Sequence, residues 1–372
     1  MKNLVYLTYQ SFPSTQANSL QSITNIKYIV KEGVPVKLIF PLREKSSKGD
    51  ISSLQNHYNF KESFEVIGTK HYLPFGKIKF GEKVWFLISH FLWSFFISSK
   101  TEKYSDNFTI YFTRSEWIFY FLSLKNKKVV YECHQLSFLK KILIPKCIKK
   151  DNSKIIFLND HLRNNFNFSE DNLNKTIVAH NGVDPELFKD SRPKIKNNLI
   201  FVGNLERFNQ ERNLDFLING FKDSILHKKY KLKIIGGPSK EAERLKDKVK
   251  NLKLENCIEV LGRLSQEQTV SYIQESDIGI LINSSINEHS VKFTSPLKYF
   301  EYLYGGCKVL AVDFPSHRSL PYSNKINFFT ENDNLSFING IVNFENNKKL
   351  NKSELNTITT SFRAKNIINF IF

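Results

Sequence analysis

The sequence predicts an α/β protein built from two parallel sheets, each wound with helices. Short apolar runs alternate with longer helix-like stretches along the whole chain, which is the pattern of parallel strands joined by helices. The length of 372 residues is enough for two domains, each with a core of its own. Residues 181–198 are polar, charged and broken by Pro185 and Pro193, so they have the composition of an interdomain linker.

The first half is predicted to begin with a strand at Leu4–Thr8, a helix at Leu20–Lys31 and a strand at Val36–Phe40. Its other strands are expected at residues 64–67, 109–112, 129–131, 154–158 and 176–179. The second half repeats the alternation, with strands at 199–202, 231–235, 258–261, 278–282 and 308–312 and helices at 214–221, 240–251, 266–276 and 296–304. Two Rossmann-like domains joined by one linker would enclose a cleft between the carboxyl edges of their sheets, where such folds bind ligands.

The composition excludes several classes of protein. Lys and Arg number 54 against 36 Asp and Glu, for a formal net charge of +18, and 41% of residues are hydrophobic. These values exclude a peptide hormone, a disulfide-stapled toxin and a disordered tail. The basic residues are spread along the chain without a dense stripe interleaved with aromatic residues, so charge alone does not support nucleic-acid binding. The cysteines stand singly at positions 133, 147, 257 and 307, which favours reduced thiols in a cytosolic protein over a disulfide framework.

Two segments bear on membranes. The first residues, MKNLVYLTYQSF, are predicted to form a buried strand rather than a signal peptide. The most apolar window, Val84–Ile97, is shorter than the about 20 residues that span a bilayer, and Lys83 and Lys100 flank it. We interpret it as a core helix of the first domain, with contact at a membrane interface as the alternative.

The sharpest local signal for a site lies at residues 294–306. Ser295 is predicted to cap a helix, Pro296 suits its first position, and Gly305 and Gly306 end it. The start of such a helix offers free N–H groups and a positive dipole end, which suit a phosphate or diphosphate. Lys298 in the first turn indicates an anion nearby or a surface lysine, and Glu301 is either its ion-pair partner or a carboxylate that binds hydroxyl groups.

A second signal is the repeated occurrence of glycine after the strands of the second half. Glycine at a strand end lets a ligand approach the backbone closely, and arginine can clamp phosphate oxygens. The chain has no GxGxxG and no P-loop motif, which argues against a dehydrogenase and a P-loop NTPase. The candidate residues in these turns are Gly203, Asn204, Arg207, Arg212, Gly236, Gly262 and Arg263.

The first half offers fewer candidates. His134 follows a strand, where a lone histidine is more often a structural hydrogen-bonding group than a catalyst. The polar loop Gln10–Asn18 after the first strand supplies Ser14, Gln16 and Asn18 as candidate contacts to an acceptor or a phosphate, against the alternative of a solvated loop. No HExxH, EF-hand or Cys/His cluster occurs, so no metal site is expected.

Taken together, these segments resemble the retaining nucleotide-sugar glycosyltransferases of family 4, which have the GT-B fold. The matches follow one another in the family's order along almost the whole chain. They are Ile110–Arg114 with Val129–His134, the "pNGVD"-like Ala179–Asp184, the "VGRL"-like Phe201–Leu205 with Arg212, the "SPLKLFEYLA"-like Ser295–Leu303, and the "W..RA"-like Ser361–Lys365.

The resemblance implies a role for each matching residue. Glu301 would bind the donor ribose hydroxyls, Arg212 and Lys298 would neutralise the diphosphate, and His134 would hold the transferred sugar near the reacting carbon. The backbone that would cap the phosphate oxygens belongs to Thr294, Ser295, Pro296 and Leu297. The donor would be a substrate, and neither a metal nor another cofactor is expected.

The sequence departs from the family pattern at two positions. Phe293 stands where the family has the first Glu of its E-x7-E motif, although the "SPLK" subgroup often lacks that Glu, and Asn204 stands where it has the Arg of "VGRL". Arg207 or Lys298 could replace the missing arginine, and Glu288 could supply a carboxylate to the sugar.

We therefore expect a GT-B glycosyltransferase that moves a hexose-type sugar from a nucleotide-diphosphate sugar to a saccharide or lipid-linked saccharide acceptor, with retention of configuration. The expected setting is bacterial envelope polysaccharide synthesis, in the cytoplasm or peripherally on the inner face of the cytoplasmic membrane. The expected domains are residues 1–182 for the acceptor, a linker at 183–198, residues 199–352 for the donor, and a returning helix at 353–372. A catalytically inactive GT-B binding subunit is the alternative, and a nucleotide-sugar 2-epimerase ranks below it.

Overall fold

The chain divides into two compact units, each an α/β structure around a parallel sheet. The computed structural model describes residues 2–71, 73, 81–104, 106–207, 210–344 and 349–372. The first unit comprises Met1–Ala179 together with Thr360–Phe372, and the second comprises His180–Thr359. The predicted fold class of two parallel sheets wound with helices is confirmed.

The first unit contains a seven-stranded parallel sheet in the order β3-β2-β1-β4-β5-β6-β7. Its strands are β1 Asn3–Leu7, β2 Val36–Leu42, β3 Glu65–Lys70, β4 Thr109–Thr113, β5 Val129–Cys133, β6 Ser153–Phe157 and β7 Thr176–Val178. The helices between them are α1 Ala17–Lys31, α2 Ile51–Tyr58, α3 Glu82–Ser99, α4 Glu116–Leu124, α5 Phe138–Cys147, α6 Asp160–Asn164 and α7 Glu170–Leu173.

The second unit contains a six-stranded parallel sheet in the order β12-β11-β8-β13-β14-β15 and a short antiparallel pair, β9 and β10. The strands are β8 Ile195–Val202, β9 Glu206–Arg207, β10 Gln210–Glu211, β11 Lys231–Ile235, β12 Ile258–Gly262, β13 Ser276–Leu281, β14 Lys308–Val312 and β15 Ile326–Phe329. The helices are α8 Leu214–Gly220, α9 Ser224–Lys229, α10 Ser239–Asn251, α11 Gln266–Glu275, α12 Glu288–Lys292, α13 Leu297–Tyr304, α14 Pro315–Arg318, α15 Asn334–Val342 and α16 Lys352–Thr357. The last helix, α17 Thr360–Ile371, belongs to the first unit.

Helices cover both faces of the second sheet, as the nearly continuous apolar runs of its strands require. In β8, Leu199 and Phe201 pack in one core layer with side chains of α8 and α10. Ile200 and Val202 point to the opposite layer, which includes side chains of α11 and α13. This alternation follows from the two-residue period of a strand. Residues 195–198, which the composition assigns to a linker, are instead the first residues of β8.

A buried ionic cluster joins α17 to the end of β5 within the first unit. The side chain of Glu132 is fully buried, and its Oε2 accepts from Arg114 Nε at 2.6 Å. Its Oε1 accepts from Arg363 of α17, whose Nη1 also donates to Asn25 Oδ1 at 3.1 Å. Burial alone would raise the pKa of the Glu132 carboxyl, but Arg114, Arg363 and His134 hold it well below its usual value. The carboxylate therefore stays charged and binds α17 to the sheet.

We expect Arg363→Met to lower the free energy of unfolding of the first unit by about 3 kcal/mol, because it removes one of the two guanidinium partners of a buried carboxylate. All three tryptophans, Trp85, Trp93 and Trp117, lie in this unit, so tryptophan fluorescence during urea unfolding follows it selectively. Lys365→Met is the matched control on the same helix. Lys365 is exposed and lies 3.7 Å from Glu32, so we expect its loss to cost less than about 1 kcal/mol. Equal costs for the two variants would contradict this account of the cluster.

Candidate active site

The carboxyl ends of three neighbouring strands of the second unit form a surface of backbone atoms without side chains, which we call the glycine floor. β12, β11 and β8 are adjacent, and Gly262, Gly236 and Gly203 stand at their ends. Gly203 N donates to Ile235 O at 3.0 Å, and Gly236 N donates to Gly262 O at 2.8 Å. A Cβ at Gly236 would lie 1.8 Å from the Gly203 carbonyl oxygen, so no larger residue fits there. The sequence interpretation of these glycines as one group is consistent with this arrangement.

Arg212 lies beside this floor in a fixed orientation. Its Nε donates to Asn283 Oδ1 at 2.7 Å, its Nη1 to Asn204 O at 3.1 Å and its Nη2 to Ile282 O at 3.2 Å. The guanidinium also lies over the Phe201 ring, 5.4 Å from its centroid. All three of these acceptors are neutral oxygens, and together they fix the orientation of the guanidinium. A fixed guanidinium of this kind is suited to phosphate oxygens.

The other candidate residues of these turns are either exposed or have a side chain that the structure does not describe. Arg263 is exposed, and its Nε would be 3.1 Å from a Cβ at Gly237, the residue after Gly236. The side chain of Asn204 is exposed, and this residue contributes its backbone carbonyl to Arg212. Arg207 lies in β9, and its side chain is outside the described part of the structure.

The start of α13 differs from the prediction. Pro296 is the capping residue, and no side chain caps the helix. The Ser295 hydroxyl instead accepts from Asn181 N at 3.0 Å, and Asn181 Nδ2 donates to Ser295 O at 2.6 Å. The prediction that Ser295 caps the helix is therefore wrong, because its hydroxyl is engaged by the preceding segment of the chain. The backbone N–H groups of Leu297 and Lys298 lie in the first turn of α13. The N–H groups of a first turn have no acceptor within the helix, so they are suited to bind an anion.

Lys298 and Glu301 form an ion pair one turn into α13. Lys298 Nζ lies 2.5 Å from Glu301 Oε2, and the two side chains are 31% and 14% exposed. The Glu301 side chain is therefore largely shielded from solvent but still accessible. The structure shows the ion pair, which was one of the two interpretations of this spacing; a carboxylate has further acceptor positions for hydroxyl groups.

One tyrosine and two asparagine side chains hold these groups in position. None of them was singled out from the sequence. The Tyr302 hydroxyl accepts from Val202 N at 2.9 Å at the end of β8, and its ring fills the space above Gly279. Asn181 fixes Ser295, and Asn283 fixes Arg212. The available signal was positional, since Asn283 directly follows an apolar strand-like segment and Asn181 follows another after one intervening residue, His180. Contacts of Tyr302 and Arg212 with the ends of β8 and β13 bring α13, Arg212 and the glycine floor together.

In the first unit, His134 follows β5 and lies beside the buried ionic cluster. Its Nε2 is 3.0 Å from Glu132 Oε2, and its side chain is 22% exposed. Burial, and then the Arg114 guanidinium, lower the pKa of His134 to about 4. The imidazole is therefore neutral at pH 7, and can donate or accept a hydrogen bond without adding charge.

Of the three residues predicted to contact the acceptor, only Asn18 lies beside His134 and the buried ionic cluster. Asn18 lies in the first turn of α1, and its backbone carbonyl accepts from Arg114 Nη1 at 3.2 Å, which places it next to the His134 cluster. Gln16 is exposed and immediately precedes α1. The backbone of Ser14 is held by the Tyr58 hydroxyl, which both donates to Ser14 O and accepts from Ser14 N. Ser14 and Gln16 have no contact with the cluster among the hydrogen bonds of the described residues.

A cavity and the distribution of possible metal ligands also bear on the candidate site. A cavity of about 480 Å³ lies at the amino ends of β1 and β2, lined in part by Asn3, Val36 and Lys37, and it contains none of the predicted site residues. Within the described residues, no group of three or more His, Cys, Asp or Glu side chains is placed to hold a metal ion.

Comparisons with known proteins agree on the fold. Residues 196–347 match the family model described as Glycosyl transferases group 1. No curated protein matches the sequence. The structure resembles sucrose-phosphate synthase from Thermosynechococcus elongatus, with a TM-score of 0.71 and 10% identity over 99% of this chain and 98% of that chain. It also resembles the lipopolysaccharide outer core galactosyltransferase WaaB in its apo form, with a TM-score of 0.66 and 12% identity over 100% and 99% of the two chains.

A third similar structure is an E. coli trehalose-6-phosphate protein bound with UDP-2-fluoro glucose, with a TM-score of 0.65 and 11% identity over 100% and 99% of the two chains. The fold is GT-B, as the sequence resemblance predicted. Together with the family match in the second unit, the fold supports glycosyltransferase activity.

We expect Gly236→Ala to lower the free energy of unfolding of the second unit by about 1–3 kcal/mol, because the added methyl group meets a backbone carbonyl that is fixed by two strands. Gly237→Ala is the control, since its new Cβ meets only the flexible side chain of Arg263. Differential scanning calorimetry on both variants checks this, and equal stability of the two would contradict the close packing described.

We expect the first unit to lose stability as the pH falls from about 6.5 towards 4, partly through His134. The pKa of His134 is about 4 in the folded protein and about 6.5 when unfolded, so the unfolded chain binds the extra proton in this window. His134→Asn should remove about 1.5 kcal/mol of the loss between pH 6.5 and 5. Tryptophan fluorescence during urea unfolding at several pH values measures it, and an unchanged pH slope would count against a neutral buried imidazole.

Proposed function

We propose that this protein is a retaining glycosyltransferase of family 4, of the "SPLK" subgroup, that transfers a hexose-type sugar from a nucleotide-diphosphate sugar to a saccharide acceptor. The observation that carries the proposal is the uncapped start of α13, with the Lys298–Glu301 pair in its first turns, held by Tyr302 at the end of β8. The UDP-2-fluoro glucose bound to one of the similar structures is consistent with a nucleotide-sugar donor.

The donor is proposed to bind to the second unit. The diphosphate accepts from the backbone N–H groups of Leu297 and Lys298, and its charge is balanced by Arg212 and the Lys298 ammonium. Glu301 accepts from the ribose hydroxyls. The glycine floor lets the nucleotide approach the backbone of β8, β11 and β12 closely. None of these contacts calls for a metal or another cofactor.

The proposed reaction breaks the bond between the anomeric carbon of the sugar and the diphosphate oxygen. The electron pair leaves with the nucleoside diphosphate, whose departing oxygen takes the proton of the acceptor hydroxyl as the acceptor oxygen bonds to the same face of the anomeric carbon. The developing negative charge on the diphosphate is stabilised by Arg212, Lys298 and the start of α13, which are fixed before the reaction begins. His134, as a neutral imidazole, is proposed to hold a hydroxyl of the transferred sugar.

The acceptor is proposed to be a saccharide or a polyprenyl-linked saccharide of a bacterial envelope polysaccharide. Similarity of fold to a lipopolysaccharide galactosyltransferase supports this setting. A lipid-linked acceptor would place the protein peripherally on the inner face of the cytoplasmic membrane.

A catalytically inactive GT-B subunit is the second candidate function. Phe293, at the position of a family carboxylate, is buried and apolar, and Asn204 offers only its backbone carbonyl to Arg212. Such a subunit would bind a nucleotide sugar weakly or not at all and would not hydrolyse or transfer it.

We expect one nucleoside diphosphate from a panel of UDP, GDP and ADP to raise the thermal stability of the protein. A ligand at 100 times its dissociation constant adds about 2.7 kcal/mol. In Glu301→Gln the dissociation constant should rise about 10-fold to 100-fold, since a hydrogen bond to a charged acceptor contributes about 1.5–3 kcal/mol.

Glu288→Gln is the matched control for that measurement. Glu288 is an exposed glutamate at the start of α12 in the same unit, paired with Lys292 at 3.0 Å. Its substitution should leave nucleotide binding and transfer from a labelled UDP-sugar or GDP-sugar unchanged. A loss in Glu288→Gln with none in Glu301→Gln would transfer the carboxylate role to Glu288, and nucleotide binding without any transfer or hydrolysis would favour the inactive subunit.

A further inference from the structure

The outward face of α3 is largely apolar between Val84 and Phe96. The prediction of a core helix holds only for its inner face, which packs on the first unit through buried residues such as Ser89, Trp93 and Ile97. Seven large apolar side chains nevertheless remain exposed on this one helix: Val84, Trp85, Leu87, Ile88, Phe91, Phe95 and Phe96. A surface helix normally carries polar residues on its solvent side, so an apolar outer face indicates contact with something other than water.

Two further helices extend this apolar face. α4 lies parallel to α3, since Phe91 contacts Trp117 and Phe95 contacts Phe121, while Lys125 Nζ donates to Ser98 O at 2.9 Å one turn further along. α5 packs against α4 and adds Phe138 and Ile142, of which Phe138 is 82% exposed. We call the outer sides of α3, α4 and α5 the aromatic face.

Lysines surround the aromatic face. Residues 138–150, which cover α5 and its end, contain five lysines and no acidic residue. The loops that follow α3 and α4 add exposed lysines at positions 100, 103, 125 and 128. A combination of exposed aromatic and aliphatic side chains with surrounding lysines is the pattern of a protein surface that enters the headgroup region of an anionic bilayer.

We propose that the aromatic face docks on the surface of a membrane rich in anionic lipids. The apolar side chains enter the boundary between headgroups and acyl chains, and the lysines bind the lipid phosphates. No helix within the described residues is long and apolar enough to cross a membrane. A second copy of this chain is a poorer occupant, because a two-fold contact would bring the same lysines together.

The docked orientation has a consequence for the acceptor, and in this respect the inference rests on the proposed function. β5 ends at Cys133, His134 follows it directly, and α5 begins only four residues after His134 with Phe138 and its lysines. Docking through α5 would hold the carboxyl end of β5 close to the lipid headgroups. A saccharide attached to a lipid would be presented to His134 without leaving the membrane.

The test is flotation of the full-length protein with vesicles of phosphatidylcholine alone or with a third of phosphatidylglycerol. We expect binding to the anionic vesicles that falls at least tenfold in 0.5 M salt, and little binding to phosphatidylcholine. The variant Val84→Gln/Leu87→Gln/Phe138→Gln should bind at least tenfold more weakly. Its control, Ile225→Gln/Ile286→Gln/Leu335→Gln, removes three exposed apolar side chains from the second unit and should bind like the wild type.

A charge variant, Lys141→Gln/Lys146→Gln/Lys149→Gln, should lose about fivefold in binding per lysine. Its control is Lys228→Gln/Lys240→Gln/Lys250→Gln, with three exposed lysines of the second unit, and should bind like the wild type. Equal loss in test and control variants, or no flotation of the wild type, would overturn the proposal. So would a wild-type dimer that the apolar variant converts to a monomer. Stabilisation by nucleotide, measured on the same variants, should be unchanged, so a failed donor site and a failed docking face give different results.

Discussion

The first unit depends on keeping one fully buried carboxylate charged. Glu132 sits at the end of β5 with no exposed side-chain surface, and an unpaired charge there would be very costly. Arg114 from the end of β4 and Arg363 from the last helix supply the opposing charges. The same contacts extend to Asn18 and to His134, so the local order of the candidate site and the attachment of α17 have one electrostatic origin. Burial, together with the positive charge of Arg114, lowers the pKa of His134 and keeps it neutral.

The second unit is organised by close packing against glycine backbone rather than by a buried charge. Tyr302 inserts its ring against Gly279 and its hydroxyl against Val202 N, which fixes α13 over the ends of β8 and β13. Glycines at three strand ends then leave a floor without side chains, and Arg212 is held beside it by one amide and two carbonyl oxygens. A site for a diphosphate needs this combination of exposed N–H groups, a fixed cation and open space.

The aromatic face adds a physical link between the proposed chemistry and its location. A water-soluble donor and a lipid-linked acceptor differ in where they are found, and a transferase for both has to work at a surface. In the first unit, α5 connects the residues after β5 directly to exposed aromatic and basic side chains. The positive charge of the chain does not by itself indicate a partner, but residues 138–150 of this face contribute five lysines and no acidic residue.

The sequence by itself determined the fold class and the order of the main elements. Apolar runs and the polar loops between them are local properties, so strands such as β1, β11 and β14 lie close to their predicted positions. The glycine at each strand end and the motif that begins at Ser295 were equally readable, because a tight turn and a helix start have short-range requirements. Tertiary structure alone decided which partner each polar group takes. Ser295 binds Asn181 instead of capping α13, Asn283 orients Arg212, and Arg363 neutralises Glu132 across 231 residues of chain. Those pairings depend on how strands and helices pack, and no local pattern of residues encodes the distance between groups so far apart in sequence.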